Sequence, residues 1–512
     1  MPAAQADGRR CALLVAVALG LPAVLPLAHG VAGALGAAIG ASRFVGGGSL
    51  WPGERVQVLL WQGAWLSLLA ATLAIAAAAV VALGLMLPHR ARWRLALVAL
   101  LAASFCLGTV VHLMAWRVVF PGVTGGVQGW ALAVLVLAGR YLPLAVALLA
   151  AGLAVMDRSE LETALATGGP RALLRMARGR LLRVGAMAMA AVGTLVFAES
   201  ELPPLLGVHV YAEEFLSQVA LEPDAGSAAA LGWPLMAAAL LCALALAGAP
   251  RLRAAADGSV DPGWLGRWTF APQPLRRLLP VLALLLAGLP LVLLGWGCLT
   301  ATGRWPAHAG VAVFNSLWVA AAAAALACLW GLALAEGAVR AGPRVAAALN
   351  LVLLLMLLWP SALTGLAIAG SGFADRAGAA APLILSHTLR VLPFASWVLL
   401  ALRQVRPTSG LDQLRLLGVP ARSAWWHVHL PASAPGLLAA FVLAAGLSLA
   451  ELSATVLTVP PGMETAILRL YNLLHYGDQR GVMMLALAQA LAVAGLMAIG
   501  LAWIGRRRAG NR

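Results

Sequence analysis

Residues 412–431 read DQLRLLGVPARSAWWHVHLP. The segment carries one acid, two arginines, two histidines, a Gly-x-Pro and a closing Leu-Pro, and long apolar runs stand on both sides of it. Asp412 suits a helix N-terminus. Leu414, Leu416 and Leu417 give that short helix an apolar side. Gly418 suits the left-handed residue that ends a helix, and Pro420 suits the first turn of the next. The pattern predicts two short helices meeting at a Gly-x-Pro corner, with Pro431 opening the following apolar run.

The same pattern occurs 250 residues earlier. Arg140-Tyr-Leu-Pro143 returns as Arg390-Val-Leu-Pro393, Glu162 as Asp412, Gly168-x-Pro170 as Gly418-x-Pro420, and Glu201 as Glu451. Several matches at one offset argue for a duplicated unit. The chain has 512 residues, of which 62% are hydrophobic and 11% charged. Soluble domains carry about 25% charged residues. Crossing the hydrocarbon takes about 20 apolar residues per helix. Runs of that kind lie near 12–37, 59–87, 95–120, 128–156, 184–206, 225–249, 277–299, 311–339, 345–370, 382–402, 433–456 and 481–505. The expected fold is therefore an all-α integral membrane protein of about 12 transmembrane helices, built as two parallel six-helix repeats. The first repeat spans 1–250, with its polar elbow near 160–183. A linker covers 251–276. The second repeat spans 277–512, with its elbow near 410–431. The run after Arg9 and Arg10 could also be a signal peptide, but its length favours a first span.

The net charge of +16 comes from arginine alone, since the chain has no lysine. With the N-terminus inside, 26 arginines fall in inner loops and tails, seven fall outside, and Arg140 and Arg390 lie within spans. Such a bias orients a membrane protein, and it explains the charge without nucleic acid. It predicts a multi-pass protein with both termini cytoplasmic and both elbows on that face. The five cysteines lie in or beside apolar runs, form no C-x-x-C pair and read as packing residues. His427 and His429 have no Cys or acid at metal spacing and read as elbow surface. No metal site is expected.

Two elbows on one face suit a two-fold partner, although a basic interfacial hairpin at the headgroups would also explain either one. With its spacing, the segment resembles the cytoplasmic loop of ABC importer permeases, which reads Glu-Ala-Ala, three residues, Gly, nine residues, Ile-x-Leu-Pro. Asp412, Gly418, Leu430 and Pro431 match or approximate that pattern, with Gln413 and Leu414 at the alanines. The first copy keeps Glu162, Ala164 and Gly168, but Arg178-Gly-Arg180-Leu181 stands at its end. Residues 450–477, AELSATVLTVPPGMETAILRLYNLLHYG, resemble fused permeases of the iron(III), thiamine and polyamine type, and the Pro-Pro-Gly-x-Glu-Thr segment is most like the iron(III) group.

The resemblance implies a bacterial inner-membrane permease that moves a small solute inward by alternating access, with iron(III) the first candidate. It implies a homodimer of cytoplasmic ATPase subunits gripping Glu162, Ala164, Gly168 and Pro170 on one elbow and Asp412, Gly418, Pro420, Leu430 and Pro431 on the other. It also implies a periplasmic or extracellular solute-binding protein. ATP and Mg would be bound by the ATPase partner and no cofactor by this chain. A P-loop needs a lysine, so the chain is expected to be a non-enzymatic transport subunit. Intramembrane ionisable residues mark candidate paths, here Glu199, Glu201, Glu451, Arg140 and Arg390; internal ion pairing or snorkelling to the interface is the alternative for each. The competing class is an ion-coupled secondary transporter with duplicated halves.

Overall fold

The computed structural model describes residues 53–86, 91–154, 158–221, 225–248, 273–300, 305–341, 343–405, 417–476 and 479–510. The expected first span and most of the expected linker lie outside these residues, as does Asp412.

Among the described residues the structure is helical throughout, with no strand. The first half contains α1 (Glu54–Met86), α2 (Ala91–Phe105), α3 (Thr109–Arg117), α4 (Gly126–Ala154) and α5 (Arg158–Phe197). A 3-10 turn (Pro203–Leu206), α6 (Tyr211–Leu221) and α7 (Ala225–Gly248) complete it. The second half opens on α8 (Gln273–Thr300), then α9 (Ala309–Ala341), α10 (Pro343–Leu358), α11 (Ser361–Ala369), the short α12 (Phe373–Ala377) and α13 (Ala381–Val405). After the elbow come α14 (Ala421–Ala424), a π-helical turn (Trp425–His429), α15 (Leu430–Leu449), α16 (Ser453–Thr458), α17 (Ala466–Tyr476) and α18 (Gln479–Gly510). The element order from α1 to α7 thus recurs from α9 to α18.

Among the described residues, seven helices are long and apolar enough to cross a membrane, or up to nine if each of two bent pairs is one span. The expected count of 12 is not reached among the described residues. The first candidate is not described, and the fifth and sixth are represented by the shorter apolar helices Leu181–Phe197 and Leu231–Ala247. The third and ninth candidates are broken: α2 and α3 meet at 101°, and α10 and α11 at 93°. The fifth and eleventh end as helices at Phe197 and Leu449, short of the expected limits.

Small residues set the packing inside each half. Ala70, Ala74 and Ala78 on α1 are fully buried. Their counterparts 250 residues on are Ala320, Ala324 and Cys328 on α9, also buried. Such stripes let helix backbones approach closely where both neighbours are as apolar as lipid. α1 packs on α4 and α5, and α9 packs on α13 and α15. A Cβ at Gly331 would lie 3.1 Å from the Ser396 backbone nitrogen, so α9 and α13 touch main chain to main chain. The last helix of each half crosses to the other: α7 packs on α10, and α18 on α2. Elsewhere on the helices, Trp61, Trp296, Leu299, Leu329 and Ile499 are exposed, as residues facing hydrocarbon should be.

The halves also meet at their helix breaks. Gly108, which begins α3 in extended conformation, would carry a Cβ 3.3 Å from the Ala450 carbonyl oxygen and 3.4 Å from Ile467 Cδ1. Gly108→Leu should therefore overpack this contact at a cost of about 1–3 kcal/mol. The checking measurement is thermal unfolding in detergent, where an unchanged midpoint would mean that the two breaks do not touch.

Candidate functional site

Four breaks in helical structure converge on one cavity. They are residues 106–108 between α2 and α3, 359–360 between α10 and α11, 198–202 after α5, and 450–452 after α15. Two have a plain local cause. Pro360 cannot continue α10, and it takes an extended conformation (φ −59°, ψ 122°). Gly108 does the same with φ −63° and ψ 159°. Irregular backbone at membrane depth persists only where protein or a polar cavity satisfies it, and here polar side chains do so.

Arg140 on α4 donates from Nη1 to the Phe105 carbonyl, the end of α2, with its guanidinium 5.1 Å from the centre of the Phe105 ring. Arg390 on α13 donates from Nη1 to the Leu357 carbonyl at 2.9 Å, in the last turn of α10. Each arginine thus satisfies a carbonyl that the helix end leaves unpaired, and its charge opposes the negative end of the helix dipole. Arg390 Nε also lies 3.2 Å from Glu451 Oε2.

The three acids are held by both halves. Glu199 accepts from Tyr141 Oη (3.2 Å) and Thr109 Oγ1 (3.3 Å) through Oε2, and from the Glu201 N–H (3.3 Å) through Oε1. Glu201 reaches into the second half. Its Oε1 accepts from the Ser453 N–H (3.1 Å) and Ser453 Oγ (2.9 Å). Glu451 Oε1 accepts from the Ala454 N–H at 3.1 Å. Glu201 and Glu451 therefore share the first donors of α16, where the helix end favours negative charge.

All five intramembrane residues singled out in the sequence line this one cavity of about 60 Å³, with Thr109, Tyr141, Ser200, Ser361 and Ser453. Three carboxylates face two guanidiniums. The space admits a few water molecules or one small ion, not a solute of thiamine size. Both alternatives from the sequence have a counterpart here: Arg390 and Glu451 form an internal ion pair, and all five groups border a polar cavity. Among the described residues no three of His, Cys, Asp and Glu converge as a metal shell would require. Compared with family models, curated proteins and solved structures, the chain matches none.

Ser453 is the cross-half contact most open to test. Ser453→Ala removes the 2.9 Å hydroxyl bond to Glu201 and leaves the backbone bond in place. Loss of this hydrogen bond should cost about 0.5–1.5 kcal/mol. Thermal unfolding should register it, and a Glu201→Ala background, which has no acceptor, should remove the effect.

The elbows differ from each other. In the second, Gly418 is left-handed (φ 71°) and exposed, Pro420 and Pro431 are exposed, and Leu430 is half-buried. In the first, the non-helical residue is Gly169 (φ 64°, ψ −157°), not Gly168. The reason is legible in the sequence, because Gly169 precedes Pro170 and a residue before proline is pushed out of the helical region. Ala164 is half-buried and Gly168 exposed. The side chains of Glu162 and Pro170 lie outside the described residues.

His429 departs from its expected place. It is buried, and its Nε2 lies 2.7 Å from Glu336 Oε1, across from α9. His427 is exposed and bonds locally, with Nδ1 3.0 Å from the Ser423 carbonyl. The sequence reading also passed over buried His387, bridged by Ser448 (2.7 Å) and Thr455 (2.9 Å), and buried His112. The rule that flagged Arg140, an ionisable residue inside an apolar run, applies equally to Glu336, His112 and His387.

Proposed function

We propose that the chain is the membrane-embedded permease subunit of a binding-protein-dependent ABC importer. Its two halves would rock about the central cavity while a separate ATPase dimer supplies the energy. The observation that carries this reading is the second elbow. Gly418 is left-handed there and Leu417 is 76% exposed, on a polar segment between apolar helices. An exposed large apolar side chain in such a segment suits a protein contact, and the spacing from Gly418 to Leu430-Pro431 resembles the docking loop of that family. The lysine-free sequence fits a subunit whose motor is another chain.

Contacts between the two halves at the centre suit alternating access. Groups of both halves meet at the Glu201–Ser453 contact, so movement of the halves would open or close that point. Iron(III) is the first candidate cargo, on the resemblance of residues 450–477, and the solute-binding partner would make most of the selection. The proposed site is the inner membrane of a bacterium, with both termini and both elbows inside.

The test is capture from native membranes. A tagged chain extracted in detergent should carry ATP-hydrolysing activity with it. Proteoliposomes of the chain alone should take up no solute; full uptake without an ATPase would overturn the proposal in favour of an ion-coupled transporter. The surplus of one carboxylate over the arginines in the central cavity is the observation that favours that second reading.

A further inference from the structure

One carboxylate holds both ends of the second elbow. Arg403 lies in the last turn of α13, just before the elbow, and His429 lies near its far end. His429 is thus within the last residues of the elbow, and the His429 and Arg403 nitrogens converge on Glu336 Oε1 of α9, at 2.7 Å from His429 Nε2 and 3.0 Å from Arg403 Nε. Glu336 is 9% exposed and its side chain lies close to the end of α9.

The π-helical turn explains how His429 gets there. A π turn holds one residue more than an α turn, which rotates the faces on its two sides by about 100° relative to each other. Trp426, His427 and Val428 are exposed, whereas His429 is buried beside them. Trp425 packs near the His429 ring, with centroids 6.4 Å apart, and Ser433 Oγ donates to the His429 carbonyl at 2.8 Å. The turn thus separates an outward apolar face from one inward-directed histidine.

The residues at the matching positions of the first half differ in kind. Positions 250 residues earlier are Met86, Leu153 and Gly179, none of which can form such a cluster. The duplication therefore preserved the central arginines but not this anchor.

We propose that Glu336 is a positioning residue: it fixes the second elbow rigidly to α9, so that force on this elbow moves the helix core. The anchoring stands on geometry alone, and its role in transport rests on the permease reading above.

The test is hydrogen–deuterium exchange on the full chain in lipid nanodiscs. Glu336→Ala should speed exchange of the amides at 417–430 at least tenfold, with peptides of the central helices, such as 133–146, unchanged. Glu336→Gln keeps an acceptor oxygen for His429 and loses the charge facing Arg403, so it should give an intermediate increase. If Glu336→Ala loosens the whole chain, the glutamine variant decides. Exchange within twofold of wild type in that variant and in Glu336→Ala, or a loosening by glutamine that is not confined to the elbow, overturns the anchor. A second readout separates this from the function. Wild-type chain that captures ATPase activity, with capture lowered at least tenfold by Glu336→Ala, supports both. Wild-type chain that captures none, while Glu336→Ala still loosens the elbow, upholds the anchor and overturns the permease.

Discussion

Arg390→Leu should unfold the centre of the protein more severely than any other single change considered. The substitution removes the partner 3.2 Å from Glu451 and the donor to the Leu357 carbonyl in the last turn of α10. Glu451 is 8% exposed, so its charge would be left buried without its cation. Breaking a buried pair from one side costs about 3–5 kcal/mol, which is a large share of the stability of an ordinary domain. The remaining bond to Glu451, from the Ala454 N–H, does not compensate a full charge. The expected outcome is a chain that is extracted in low yield and melts well below wild type. Arg390→Leu combined with Glu451→Gln should recover most of that loss, because the glutamine still accepts from Ala454 and carries no charge. Uptake distinguishes the two alternatives for these residues. If they only brace the helices, the double variant regains transport with its stability. If they border the path, it regains stability and stays inactive. A double variant no more stable than Arg390→Leu would mean that the ion pair is not what holds this centre.

Placing Asp at both Leu417 and Trp426 should abolish capture of the proposed ATPase while leaving the membrane helices folded. Both side chains are more than half exposed, so the isolated chain loses little by the change. In a docked complex each would be buried, at about 1.5–3 kcal/mol per side chain. Two such losses weaken binding by a factor of about 100 or more. The first elbow should matter less. Its residues at the same offset are Thr167 and Met176; Met176 is 39% exposed, and the Leu-Pro ending is replaced by Arg180-Leu181. Met176→Asp should reduce capture and uptake by a smaller factor. Equal losses at the two elbows would refute the asymmetry, and undiminished capture after the Leu417 and Trp426 changes would refute docking at this surface.

Much of the architecture was legible in one dimension. Long apolar runs imply helices because hydrocarbon leaves no other way to satisfy the backbone. The offset of 250 residues relates Arg140 to Arg390 and Glu201 to Glu451, and the structure brings all four to one cavity. Those positions could be found because an ionisable side chain in an apolar run is costly and stands out against its neighbours. The helix breaks could not be found in the same way. Cys106 and Leu107 are apolar, as is Trp359, so an average over 20 residues passes smoothly through a bend of 101° or 93°.

The sequence by itself determined that this is a chain of long apolar helices, with similar residues recurring 250 positions apart. It did so through short-range quantities: hydropathy, the fixed φ of proline, the freedom of glycine, and repeated spacing. Only the tertiary structure decided what the charges are for. Glu201 meets Ser453 across 252 residues, and Glu336 meets His429 across 93. Such pairings depend on how the helices pack, and packing here rests on stripes of alanine and glycine whose contacts are nearly interchangeable in composition. Local chemistry named the candidates; the packing of two crossed halves chose their partners.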